Sequence, residues 1–259
     1  MREISKYIPT DVKIIVEPFA GSCALSYFIW DIDKENNTEP KKYILNDNNQ
    51  YLQQLYETVR DPEKEKVFED KVNKTLDLIR NDEKAKEVYN KLVNKDTFEG
   101  WFIGNKYYNV RPYLYPLGKS LRPLKLSESP IYEFYKEADI TFTCKEGVEC
   151  LMEFQNNPDA FIFLDPPYLL SYNGFYKDPK LDIFEYLVNG PSMNKQPAYI
   201  MVVVEENYII NLIFSDNKYY CKYYEKTYQT TKKLTRHKLV MNLRFSKHDK
   251  PTKIIKRIK

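Results

Sequence analysis

The sequence predicts an α/β protein built on a mostly parallel sheet, and three observations carry that expectation. Four apolar runs, at 13–16, 42–45, 161–164 and 199–204, are short and almost continuously hydrophobic, the pattern of strands covered on both faces. Segments with helical periodicity alternate with these runs, as βαβ units require. Two later segments, 219–228 and 238–245, instead alternate polar and apolar residues and read as antiparallel edge strands.

In chain order, Lys13-Ile14-Ile15-Val16 leads into Glu17-Pro18-Phe19-Ala20-Gly21-Ser22-Cys23, and an apolar helix is expected over 24–30. Strand, glycine turn and helix start follow one another as in a nucleotide-binding α/β unit. The second strand ends in Asn46-Asp47-Asn48-Asn49, where Asn49 is placed to cap a helix carrying Leu52, Leu55, Tyr56 and Val59. Pro62 interrupts that helix, and a charged amphipathic helical stretch occupies 63–95. Over 97–129 no helical or strand period holds, so long loops are expected there. In that stretch Trp101, Tyr107, Tyr108, Tyr113 and Tyr115 are interleaved with Lys106, Arg111, Lys119 and Arg122. The α/β rhythm then resumes with a strand at 140–143, a helix at 147–154, the strand at 161–164 and a helix beginning at 184–188. This divides the chain into 1–60, an inserted region 61–135, and 136–259 with a basic end.

Composition narrows the class. The chain has 259 residues, 42% of them hydrophobic and 30% charged, which suits one large soluble domain with an insertion. Four cysteines without a C-x-x-C pair and only two histidines argue against a zinc site, and no metal is expected. Neither a signal peptide nor an apolar stretch of spanning length is evident, so an intracellular, membrane-free protein with reduced thiols is expected. The net charge of +3 is uneven: residues 222–259 hold 13 lysines and arginines against two acids, an end suited to tracking phosphates.

The chemistry concentrates in Asp165-Pro166-Pro167-Tyr168, which closes the run Ala160-Phe161-Ile162-Phe163-Leu164. These residues fall at the carboxyl edge of the sheet, where α/β folds bind ligands. The prolines end the strand and offer no N–H, leaving carbonyl acceptors beside a carboxylate and an aromatic ring. That set suits a planar group bearing an amine. Acceptance of the amine protons by Asp165 and the Pro166 carbonyl would free its lone pair for attack on an in-line methyl sulfonium. Tyr168 would stack on a base brought out of the duplex. Glu17 to Gly21 would place backbone N–H groups and a helix end near a ligand, and Asp47 sits where a carboxylate meets ribose hydroxyls.

These motifs resemble those of the Dam-type DNA adenine N6-methyltransferases, class I enzymes that use S-adenosylmethionine. Glu17-Pro18-Phe19-Ala20-Gly21 is similar to the family's cofactor motif, Leu45-Asn46-Asp47 to its ribose-binding acid, and Phe163-Leu164-Asp165-Pro166-Pro167-Tyr168 to its catalytic motif. Tyr115-Pro116-Leu117-Gly118-Lys119 resembles a stretch of the inserted target-recognition region. The resemblance implies a Rossmann-like class I methyltransferase fold in which Glu17, Pro18, Phe19, Ala20, Gly21, Asp47 and Asp165 bind the cofactor. It implies Asp165, Pro166, Pro167 and Tyr168 as the catalytic set and duplex DNA with a flipped adenine as substrate. Lys106, Arg111, Lys119, Arg122, Lys232 and Lys233 are the candidate nucleic-acid contacts, and most insertion aromatics are expected in a small core. A homodimer or a partner subunit is the assembly left open, and the compartment is the cytoplasm, or a nuclear or viral-factory compartment for a eukaryotic virus.

Three departures stand out. Met1 to Pro9 resembles only the helix that follows the family's glycine-rich N-terminal segment, so that segment is expected to be missing. Cys23 replaces a common glycine and is expected to crowd the methionine part of the cofactor. Glu205-Glu206-Asn207 stands where a Ser-Asn pair is more familiar. A methyltransferase-like nucleic-acid-binding subunit with weak or no activity is the alternative these departures raise, and N4-cytosine or RNA amino-methylation is the alternative within the class.

Overall fold

The computed structural model describes residues 2–80, 96–107, 122–167, 182–190, 192–227 and 234–248. Five parallel strands are present: β1 (Ile14–Glu17), β2 (Lys42–Asn46), β3 (Asp139–Thr143), β4 (Ala160–Leu164) and β5 (Tyr199–Glu205). β6 (Tyr220–Thr227) and β7 (Leu234–Met241) complete a seven-stranded sheet in the order β3-β2-β1-β4-β5-β7-β6. The chain builds from β1 outward through β2 to β3, then returns to the other side of β1 with β4. The switch point therefore lies between β1 and β4, paired through Val16 and Ile162. This is the mixed α/β architecture with a mostly parallel sheet that the sequence predicts.

β4 shows why these runs become strands. Successive side chains of a strand point to opposite faces, and all five from Ala160 to Leu164 are at most 3% exposed. Both faces are therefore covered, which explains a run without polar alternation. α1 (Arg2–Ser5) precedes β1, and α2 (Ala24–Asn36) follows it. α2 ends where Asn37 adopts a left-handed conformation, φ 49°, and returns its N–H to the Asp33 and Lys34 carbonyls.

The chain separates into two compact units, Met1–Asn48 with Ala138–Lys259, and Asn49–Glu137. The second contains α3 (Gln50–Arg60), α4 (Pro62–Arg80), α5 (Phe98–Tyr107) and α6 (Tyr132–Glu137). Asn49 caps α3 as expected, accepting the Tyr51 N–H at 3.0 Å, and Pro62 begins α4, where its missing N–H costs nothing. Phe68, Val72, Leu76 and Ile79 are buried along one stripe of α4. Phe68 stacks on Phe98 at 4.5 Å and meets Phe102 edge-on at 5.1 Å. These rings contribute to the core of the second unit; of the aromatics expected there, Phe102 is buried and Trp101 and Tyr107 are half-buried, while Tyr108, Tyr113 and Tyr115 lie outside the described residues.

The first unit adds α7 (Gly147–Phe154), α8 (Asp182–Asn189) and α9 (Tyr208–Ile213). Val16, Leu151, Ile162, Leu187, Ile200 and Val240 belong to its shared core.

Two local expectations are corrected. Residues 98–107 form α5, although no period marked them, because Phe98, Trp101, Phe102 and Ile103 spread apolar side chains around the helix. The last strand is Leu234–Met241 rather than 238–245, and it is not an edge. It lies between β5 and β6, so His237 to Met241 are all buried and the alternation is lost.

Candidate functional site

The carboxyl ends of β1, β2 and β4 frame one cavity of about 200 Å³. It is lined by the turn Glu17 to Ser22, by Asp47 and Asn48 after β2, by Gly147, and by Phe163, Asp165 and Pro167. The fold thus brings the sequence-singled residues Glu17, Pro18, Phe19, Ala20, Gly21, Asp47 and Asp165 to one place. Pro166 is buried beside them, whereas Tyr168 lies outside the described residues. A larger cavity of about 470 Å³ opens near Lys13 and Lys41, at the amino ends of β1 and β2. It contains none of the motif residues, so chemistry rather than size selects the smaller one.

The β1–α2 turn is held from two directions. Gly21 has φ +47°, a left-handed backbone that glycine adopts without strain, and no atom lies within 4 Å of where a Cβ would stand. Its N–H donates to Asp47 Oδ2 at 3.0 Å, so the acid after β2 fixes the glycine turn after β1. Glu17 points the other way and is 3% exposed. Its Oε1 accepts the Ser26 N–H in the first turn of α2 at 2.8 Å.

Asn46, which sequence reasoning passed over, ties the three loops together. Its Nδ2 donates to the Pro18 and Lys145 carbonyls, both at 2.9 Å. Its Oδ1 accepts the Thr143 hydroxyl at 2.8 Å and the Lys145 N–H at 3.1 Å. A fully buried amide thereby spends its side-chain capacity on the ends of β1 and β3. The available signal was an uncharged polar residue closing an apolar run, since such a group is buried only when bonded.

Burial pushes the Glu17 carboxyl up to about 7, against the lowering effect of its Ser26 bonds, and the nearby Asp165 charge adds to the rise. Crowding by protein pushes Asp165 up to about 6, with Lys226 acting in the opposite sense. Asp165 keeps an exposed side toward solvent, so its constraint is softer than that on Glu17.

Glu17→Gln tests the buried carboxyl. Folded Glu17 keeps its proton up to about pH 7, while the unfolded chain releases it near 4.5. The folded state therefore binds more protons across that window, and wild-type stability falls as pH rises through it. Glutamine still offers Ser26 an oxygen but has no charge to bury. Urea unfolding should show the variant more stable above pH 7 by about 3 kcal/mol. Parallel stability–pH curves for the two proteins would contradict the burial argument.

Cys23 does not crowd the cavity. It is absent from the lining, fully buried, and its thiol lies 3.8 Å from the Gly21 carbonyl. Its backbone is left-handed, φ 53°, a conformation costing about 1 kcal/mol for a residue with a Cβ. Asn207, in the departure after β5, caps α9 by accepting the Ile210 N–H at 2.9 Å.

Of the candidate nucleic-acid contacts, Lys106 at the end of α5 and Arg122 are exposed on the second unit. Arg111, Lys119, Lys232 and Lys233 lie outside the described residues. Among the described residues, no group of three or more His, Cys, Asp or Glu is placed to hold a metal ion, and no helix is long and apolar enough to cross a membrane.

The family model of the D12 class N6 adenine-specific DNA methyltransferases matches residues 1–232 of the chain. The chain belongs to this family. The methyltransferase's reaction is thus adenine N6 methylation, with DNA as its substrate. Among curated proteins none matches it. The matched span includes every strand of the sheet except β7, together with the turn at Gly21, Asp47 and the Asp165 motif.

Proposed function

We propose that this chain is a site-specific methyltransferase that flips an adenine out of duplex DNA and methylates it with S-adenosylmethionine as donor. The observation that carries this reading is the convergence of Gly21, Asp47 and Asp165 on one cavity at the switch point between β1 and β4. The open space over Gly21, which a Cβ would fill, fits a ligand lying against that turn. Glu17 to Gly21 and Asp47 would hold the nucleoside end of the donor, and the bound donor supplies an electrophilic methyl group. Asp165 and the Pro166 carbonyl accept the N6 protons, directing the nitrogen lone pair toward that methyl, and Pro167 and Tyr168 shape the slot for the base. Methylation would leave the nitrogen with one proton too many, and Asp165 would take it.

The inserted region, 61–135, would carry target recognition, supported by the separate core of the unit it belongs to. Lys106, Arg111, Lys119 and Arg122 there, with Lys232 and Lys233, are assigned to phosphates and bases. The test is methyl transfer from labelled donor to duplex DNA, followed by digestion and chromatography of the nucleosides. Label in N6-methyladenine is expected. Label confined to cytosine, or transfer to RNA alone, would overturn the substrate assignment.

A further inference from the structure

We infer that Gly147 is a specificity-determining positioning residue, whose bare Cα seats the Phe19 ring and so sets the width of the donor end of the cavity. This rests on the reading of that cavity as the methyl-donor site. Gly147 opens α7 after β3 and is buried, and it lines the same cavity as Phe19, Asp47 and Asp165. Phe19 comes from the turn after β1, so two distant segments meet in one contact. A Cβ built on Gly147 would stand 2.3, 2.6 and 2.9 Å from Cζ, Cε1 and Cε2 of Phe19, distances that real side chains do not tolerate. Glycine is needed here for space, since its backbone is not in the left-handed region.

The direction of yielding gives the contact its functional meaning. Phe19 is half-buried: it packs against the core that contains Val16, Ile44 and Leu151, and it also lines the cavity. The core side is closely packed and resists compression. A methyl group on Gly147 therefore drives the ring tip toward the cavity, into space that a donor nucleoside would use. A cavity of about 200 Å³ has little room to absorb a shifted phenyl ring. The pair would thus discriminate by size: a narrowed pocket penalises the donor while leaving the DNA-facing acceptors at Asp165 in place.

The prediction is tested with the full chain, comparing wild type, Gly147→Ala, Phe19→Leu and the double variant. Donor affinity is read by calorimetric titration with S-adenosylmethionine, and KM for donor and for DNA is read by methyl transfer. Gly147→Ala should weaken donor binding about tenfold, with KM for DNA unchanged. Leucine lacks the ring atoms that collide, so adding Phe19→Leu should recover most of the lost affinity. A merely structural role would instead lower thermal stability and raise both KM values together, without second-site rescue. Unchanged donor affinity in Gly147→Ala, or a double variant worse than Gly147→Ala, would overturn the inference. Failure of wild type to bind the donor would instead overturn the reading of the cavity itself, and the two failures are separable.

Discussion

Replacing Asp165 by alanine is expected to lower methyl transfer to DNA roughly 10³-fold, the scale on which a positioned proton acceptor contributes. The loss should fall on kcat, because Asp165 engages the amine rather than the phosphates that govern DNA affinity. Asp165→Asn should be nearly as damaging, since one acceptor oxygen is exchanged for a donor that repels the amine's own N–H groups. The charge state adds a second signature. With its carboxyl pushed up to about 6, wild-type Asp165 is protonated in mild acid and loses acceptor capacity there. The rate should therefore rise with pH through that value and level off above it. Single-turnover methyl transfer measured across that range gives both readings. A variant retaining wild-type kcat would remove Asp165 from the chemistry.

The second large effect belongs to Asn46. Asn46→Ala would strand the Pro18 and Lys145 carbonyls, the Lys145 N–H and the Thr143 hydroxyl, all bonded to one side chain. Each unsatisfied buried group costs about 1–3 kcal/mol, so a loss of about 3 kcal/mol or more is expected in denaturant unfolding. Asn46→Asp is the sharper probe. It keeps the acceptor half of the amide but turns a carboxylate oxygen toward two carbonyls, so it should be at least as unstable near neutral pH and partly recover in acid. A variant as stable as wild type would show that the loops at the site are fixed by other means.

Much of this site was legible before any coordinates. The apolar runs marked β1, β2, β4 and β5 because a parallel sheet buries both faces, and that leaves a plain signature in sequence. The Asp165 motif was visible because two prolines after a buried strand have few structural uses. Other features were illegible for equally physical reasons. α5 carries large apolar side chains around its circumference, so no period separates it from a loop. Cys23 looked like an obstruction because its identity is readable while the direction of its side chain is set by φ 53° and its burial. Gly147 and Phe19 are far apart in the chain, and their collision distance exists only once α7 is laid against the β1 turn.

The insertion between β2 and β3 has a consequence for how the protein is made. The Thr143 hydroxyl reaches Asn46 across 97 positions, with the whole of Asn49–Glu137 between them. Parallel pairing across so long a separation is slow, because the closure entropy is spent before the contact repays it. During synthesis, β1 and β2 leave the ribosome well before β3 and β4 exist, and their apolar edges wait unpaired. The unit between them has its own core and can condense in that interval, bringing the ends of the insertion into a shorter effective loop. Chain order therefore delays the loops around Asn46 until β3 has emerged, after the whole of Asn49–Glu137.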